Sequence, residues 1–206
     1  MPTSTRLIIA RHGNTFRADQ NPTRVGARTD LPLTEDGEEQ ALKLGHHLAS
    51  MNIMPSAVFT SELKRTIDTA RLACVALDCA APNTPLKFLN EIDYGPDENQ
   101  TDEFVLKRLG DNALKNWDEM AVMPDDWSPR PVEILVNWKS FLKDCVTNRK
   151  DQTTMVVTSN GIARFALPHT QNGADLPMKL KTGAFGILEY DDTSSVWHVK
   201  DWNIRP

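Results

Sequence analysis

The stretch Leu7-Ile8-Ile9-Ala10-Arg11-His12-Gly13-Asn14 decides how this chain is read. Four apolar residues in a row make a short strand buried on both faces. The run ends on a guanidinium, an imidazole and a glycine. In a sheet covered on both sides, Arg11 and His12 then stand at the carboxyl end of a strand, where ligands of open α/β sheets bind. A charged pair ending a buried strand is costly unless it is paired or used. Arginine beside histidine suits attack by a ring nitrogen on a phosphoryl group whose oxygens the guanidinium holds. Three residues recur by chance, so the rest of the chain must supply partners.

Outward from that strand, helices and strands alternate. Residues 16–33 carry Pro22, Gly26 and Pro32 and read as a loop bearing Arg17, Arg24 and Arg28. Thr34 is a good N-cap for a helix with Glu35 and Asp36 in its first turn, packed through Ala41, Leu42, Gly45, Leu48 and Ala49. Residues 57–60 are a second strand. Ser61 caps a helix striped by Leu63, Ile67, Ala70, Cys74 and Leu77, and residues 86–89 read as a third strand. Residues 96–129 form a polar, acidic insertion over the sheet edge, with short helical patterns at 104–109 and 113–120. Pro131 suits the first position of a helix striped by Ile134, Trp138, Phe141, Leu142 and Cys145. A fourth strand at 154–158, a helix at 161–167 and an antiparallel pair at 184–190 and 196–202 complete the chain. The pattern predicts the α/β class: a three-layer α/β/α sandwich, mostly parallel with an antiparallel edge, as one domain over 1–206.

Four turns follow the strands: Arg11-His12-Gly13, Ser61 to Arg65, Glu91 to Gly95, and Ser159-Asn160-Gly161. Two arginines, a histidine and a carboxylate meeting near helix N-termini would form a phosphate site with a nucleophile and an acid. Taken singly, Arg65 reads as a solvated helix residue, Glu91 as a partner for a surface lysine, and Ser159-Asn160 as a helix cap.

The bulk numbers narrow the partners. A formal net charge of −5 excludes a general nucleic-acid binder, so an anionic substrate needs a local positive pocket. Three cysteines without a Cys-x-x-Cys spacing point to free thiols in a reducing cytoplasm, not to a disulfide framework or zinc site. No apolar run approaches the roughly 18 residues of a membrane span, and the N-terminal run, ended by Arg11, is too short for a signal peptide. The expected location is cytoplasmic. The expected partner is a small phosphorylated substrate or inorganic phosphate, with no nucleic acid and no membrane; a homodimer is compatible with this reading.

Several ordered motifs then resemble the histidine phosphatase superfamily, the phosphoglycerate-mutase-like proteins. The family's Arg-His-Gly-x-Thr stands as Arg11-His12-Gly13-Asn14-Thr15. Its Gly-x-x-x-Asp-x-Pro-Leu-Thr begins at Gly26 and ends at Thr34, and its Ser-x-Leu-x-Arg-x-x-x-Thr-Ala runs from Ser61 through Arg65 to Ala70. Its Leu-x-Glu stands as Leu89-Asn90-Glu91. The resemblance implies a phosphoglycerate-mutase-like fold, with His12 as nucleophile and Glu91 as general acid. It also implies a phosphate site of Arg11, Arg65, Asn14, Ser159 and Asn160. No metal or cofactor is implied, because arginines supply the charge.

One departure matters. The family carries a second histidine after the fourth strand, usually followed by glycine. Here Ser159-Asn160-Gly161 stands there, and Ser159 is aligned with the histidine. Of the other histidines, His169 is the nearest and should point away from the pocket, about two helical turns beyond Asn160. The implied activity is phosphomonoester hydrolysis through a phosphohistidine at His12, with a neutral donor from Ser159 or Asn160. The alternatives are a catalytically weak, phosphate-ligand-binding or regulatory member, and a phosphoglycerate-type mutase. A mutase shields its phosphoenzyme with an extra lid or tail, and the sequence stops at Pro206 soon after its last strand. Substrate specificity is expected from the 96–129 insertion, where Lys107, Arg108 and Lys115 are candidate anion contacts.

Overall fold

Leu7 to Ala10 are fully buried in a central strand of the computed structural model, which describes residues 4–206. The domain boundary expected at residue 1 lies outside them. Six strands form one sheet: β1 (Arg6–Arg11), β2 (Ala57–Thr60), β3 (Asn83–Pro85), β4 (Thr153–Thr158), β5 (Phe185–Asp191) and β6 (Val196–Ile204). Their spatial order is β3-β2-β4-β1-β5-β6. The first four are parallel, and β5 and β6 add an antiparallel edge. Thus β1 lies between parallel β4 and antiparallel β5, which explains its continuous apolar run.

The helices are α1 (Glu35–Ser50), α2 (Lys64–Leu77), α3 (Asp102–Leu109), α4 (Ala113–Met120), α5 (Pro131–Asn148) and α6 (Asn160–Ala163). Alternation along β1 sorts two cores. Ile8 and Ala10 pack with Leu44 and Leu48 of α1 and Ala70, Ala73 and Leu77 of α2. Leu7 and Ile9 belong to the opposite core, with Trp138, Phe141 and Leu142 of α5 and Ile162 of α6. This is the expected three-layer sandwich. The Trp138 indole N–H donates to the Ile162 carbonyl at 2.9 Å, so α5 holds the short helix that begins at Asn160.

Several local expectations are corrected. Residues 86–89 are not a strand: the edge strand is Asn83–Pro85, and Lys87–Leu89 is a 3-10 turn closed by the Leu89 N–H on the Leu86 carbonyl. Pro85 is tolerated there because an edge strand needs fewer donors. The helix expected over 161–167 is α6 followed by a 3-10 helix, Arg164–His169, which contains Pro168. Ser61 does not cap α2; its cap is Leu63, and Ser61 Oγ accepts the Leu63 N–H. The buried face of α1 uses Leu44, while Leu42 is half-buried and Ala49 exposed. The insertion reaches the mouth of the sheet, where Trp117 and Asp118 of α4 meet Arg164 and Lys179. No helix among the described residues is long and apolar enough to cross a membrane.

Thr34 caps α1 as expected, its Oγ1 accepting the Gly37 N–H at 3.2 Å. The first turn of α1 rests directly on the loop after β1. A Cβ on Gly13 would stand 2.2 Å from the Gly37 carbonyl oxygen, and one on Gly37 equally close to that of Asn14. Backbone meets backbone here, so neither position has a side chain that can yield. We expect Gly13→Ala to lower unfolding free energy by about 1–3 kcal/mol in a urea titration; an unchanged midpoint would contradict this contact.

Candidate active site

The ladder of β1 delivers His12 to the sheet mouth with its backbone bound on both sides. The His12 N–H donates to the Thr158 carbonyl at 3.1 Å, and the His12 carbonyl accepts the Gly183 N–H at 3.1 Å. The ring is oriented by a 2.8 Å hydrogen bond between Nδ1 and the Gly13 carbonyl. A carbonyl only accepts, so Nδ1 carries the proton and Nε2 holds the lone pair. Burial first, then the charges of Arg65 and Arg11, push the His12 pKa well below 6.5. The ring is therefore neutral and nucleophilic at neutral pH.

Three arginines gather at this end of the sheet, and the charges of two of them, Arg65 and Arg11, act on the ring. Arg11 Nη1 donates to the Leu180 carbonyl at 3.0 Å. Arg65, fully buried in the first turn of α2, donates from Nη1 to Thr29 and from Nη2 to Gly26, both backbone carbonyls. Arg164, also fully buried, donates from Nη1 to the Trp117 carbonyl at 2.6 Å and from Nε to the Asn160 carbonyl at 3.3 Å. Its guanidinium lies 4.5 Å from the centre of the Trp117 ring. Burial lowers all three pKa values, and the charge of Glu91 opposes that shift in each. Each keeps one buried nitrogen without a hydrogen-bond partner: Nε of Arg11, Nε of Arg65 and Nη2 of Arg164. Carbonyls orient these cations, and Arg164 alone of the three also has a carboxylate in reach, Asp118 at 3.8 Å.

Glu91 is buried beside them. Its Oε1 accepts the Ile92 N–H at 2.9 Å and its Oε2 the Gly161 N–H at 3.2 Å. Gly161 is required here, since a Cβ would stand 2.2 Å from Glu91 Oε1. Asn160 is fixed by Oδ1 accepting the Leu180 N–H at 2.8 Å, which leaves its amide N–H groups as the donors. Arg11, His12, Asn14, Glu91 and Asn160 line one cleft of about 380 Å³.

Two expected residues do not reach that lining. Ser159 is enclosed, with Oγ unpartnered, and Arg65 stands behind the cleft wall, tied to the loop at Gly26 and Thr29. The same loop is held from the other side by Glu98, which accepts N–H groups of Gly26, Arg28 and Tyr94 and the Thr29 hydroxyl. The acidic run around Glu98 read only as a polar surface, so this role was missed. Arg108 is no anion contact, because it pairs with Asp97 and Asp126. Lys107 and Lys115 are exposed and outside the lining, where the cations besides Arg11 are Arg24 and Lys179. His169 also lies outside it, as expected.

The profile of the histidine phosphatase superfamily (branch 1) matches residues 7–205. The chain belongs to that family. A 2,3-bisphosphoglycerate-dependent phosphoglycerate mutase of Bifidobacterium longum is 32% identical over 120 residues, or 58% of this chain and 48% of the mutase. The chain thus spans about half the length of the curated relatives it matches in this way. A probable phosphoglycerate mutase of Enterobacter is 28% identical over 97% of this chain and 91% of its own. Among solved structures, Bacillus stearothermophilus YhfR superposes with a TM-score of 0.78 at 21% identity over 98% of both chains. A mycobacterial glucosyl-3-phosphoglycerate phosphatase superposes with 0.76 at 19% over 98% and 99%. These structures share the fold.

The His12 environment has a measurable consequence. Its native pKa lies below 6.5, so as pH falls the unfolded chain takes the proton first. The stability owed to neutral His12 is complete above pH 6.5 and is lost as pH falls through the native value. In an NMR titration we expect the His12 ring to titrate below pH 6.5 and Arg65→Gln to raise that midpoint. A midpoint at or above 6.5 would contradict the assignment.

Proposed function

We propose that this chain hydrolyses phosphomonoesters through a phosphohistidine at His12, as a single domain that uses arginine charge where other enzymes use a metal. One observation carries the reading. Arg11 and Arg65, each with a buried unpartnered Nε–H, set their charges against a neutral imidazole whose lone pair is on Nε2, and the charge of Arg164 acts on Arg11 and Glu91. Unpartnered buried cations are expensive to keep, and a phosphoryl dianion supplies what they lack.

In the first step Nε2 forms a bond to phosphorus while the bond to the ester oxygen breaks. Glu91, placed in the cleft by its two backbone N–H bonds, takes up one proton from solvent as the phosphoryl dianion binds beside it and gives that proton to the leaving oxygen. In the second step water attacks the phosphohistidine, Glu91 takes a proton from that water, and inorganic phosphate leaves with Nε2 restored. Arg11, Asn14 and Asn160 hold the phosphoryl oxygens from the cleft wall, and Arg65 adds its charge from behind.

We further infer that Asn160, not Ser159, takes the place of the family's second histidine. Asn160 precedes Gly161, as that histidine usually precedes a glycine, and it lines the cleft with its amide N–H groups free to donate. The donor is present but uncharged. Retention of His12, Glu91 and the arginines favours a slowed enzyme over a pure binding module. The mutase names of the relatives raise a second outcome, in which the phosphoryl group returns to another hydroxyl, and product analysis separates the two.

Across a phosphomonoester panel we expect inorganic phosphate as product and no turnover by His12→Ala. One transition-state donor is worth about 10²–10³ in kcat, so a cationic donor at 160 should recover part of that range. Asn160→His is expected to raise kcat at least about tenfold, within that range, and Ser159→His to bring no gain. Undiminished turnover by His12→Ala would overturn the reading.

A further inference from the structure

Charge is distributed unevenly along the cleft. At the phosphate end, Arg11, Arg65 and Arg164 are held by backbone carbonyls and share Glu91 as their largest opposing carboxylate charge, with Asp118 also near Arg164 and Asp30 and Glu98 near Arg65. At the rim, Arg24 and Lys179 each have a carboxylate partner that also lines the cleft, and Arg24 keeps one buried Nε without a hydrogen-bond partner. Arg24 Nη2 donates to Asp102 Oδ1 at 2.7 Å, and Lys179 Nζ donates to Asp118 Oδ2 at 3.0 Å. Asp102, Asp118 and Lys179 are substantially exposed, which sets them at the solvent side. Arg24 is not free to swing: its guanidinium lies 5.2 Å from the Tyr94 ring centre and 5.3 Å from that of Trp127.

We propose that the rim accepts an uncharged, hydroxylated leaving group, so that the substrate is the phosphomonoester of a polyol or sugar and not a bisphosphate or phosphorylated acid. This rests on the hydrolase reading of His12 and deepens it. The reason is what each ligand group would meet. A carboxylate or second phosphate bonded to Lys179 would stand against Asp118, and one bonded to Arg24 against Asp102, like charge facing like charge at short range. A hydroxyl both donates and accepts, so it can give its proton to a carboxylate oxygen while accepting from the neighbouring ammonium or guanidinium. Thr23, whose hydroxyl donates to Asn99 Oδ1, and Thr182 also line the cleft. Arg164 also approaches Asp118, at 3.8 Å, but its strongest opposing charge is Glu91, so it belongs to the phosphate end. The relatives named phosphoglycerate mutases carry in their name a substrate of the kind this rim disfavours.

The test uses a nearly isosteric pair, glycerol 1-phosphate and 3-phosphoglycerate, which differ by a hydroxymethyl group against a carboxylate. We expect kcat/KM for glycerol phosphate to exceed that for phosphoglycerate by at least about tenfold, or about 1.4 kcal/mol. Asp118→Asn leaves the charge of Lys179 uncancelled and should reduce that ratio several-fold by improving phosphoglycerate. A ratio at or below one, or a ratio that Asp118→Asn does not move, overturns the proposal. Hydrolysis of p-nitrophenyl phosphate by the wild type reports the hydrolase reading separately. If that substrate is untouched the hydrolase reading fails, and dissociation constants of the same pair on the His12→Ala protein decide the rim. Tighter glycerol phosphate upholds the rim assignment; equal or tighter phosphoglycerate overturns it.

Discussion

The hydrogen bond between His12 Nδ1 and the Gly13 carbonyl fixes which ring nitrogen carries the lone pair, and the surrounding structure keeps that bond in place. His12 is bound through its own N–H to β4 and through its carbonyl to Gly183, so the backbone cannot rotate the ring away. Gly13 is pressed against Gly37 at the start of α1, and its N–H donates to Thr69 of α2. Two helices on one face of the sheet therefore set the position of the carbonyl that sets the tautomer. Packing becomes chemistry through backbone contacts, which no side-chain rearrangement can relieve.

A second regularity is how each cation is held. Arg11, Arg65 and Arg164 are hydrogen-bonded by carbonyl oxygens, which leave one N–H of each free and only Glu91 as a carboxylate acting on all three. Those of the insertion are bound by carboxylates: Asp97, fully buried, takes Arg108 and the Trp127 indole. Burial favours the neutral form of Asp97, yet the bonds from Arg108 and Trp127 hold its pKa below the usual range. The first arrangement leaves positive potential at the mouth of the sheet; the second holds α3 against the segment that follows α4. The same residue type is held in two ways, and the difference lies in the partner.

The sequence made the centre of the site legible because strand ends and helix starts are strongly patterned. The apolar run of β1, Thr34 at the head of α1 and the stripe of α5 all follow from period and capping, and they bring Arg11, His12 and Asn160 to one edge. Residues 86–89 misled because a short apolar run fits a strand or a turn equally, and tertiary burial of Leu89 decided. Arg164 was invisible for another reason. It falls in a 3-10 segment, and its own complete burial depends on packing against Trp117 of α4 and the core that includes α5. Lys107, Arg108 and Lys115 were credible by charge alone, and only the position of Asp97 and the course of the insertion direct Arg108 elsewhere. Placement of Ser159 and Asn160 turns on one residue of register, which a three-residue turn does not specify.

The central claim is that a neutral His12, protonated at Nδ1, attacks through Nε2. Its most direct test is the bond formed in the phosphorylated protein, read by phosphorus and nitrogen NMR after labelling the histidines with nitrogen-15. The account predicts a single phosphohistidine at residue 12, with phosphorus coupled to Nε2 and the Nδ1 proton retained. Phosphorus on Nδ1, or on any other residue, would contradict it.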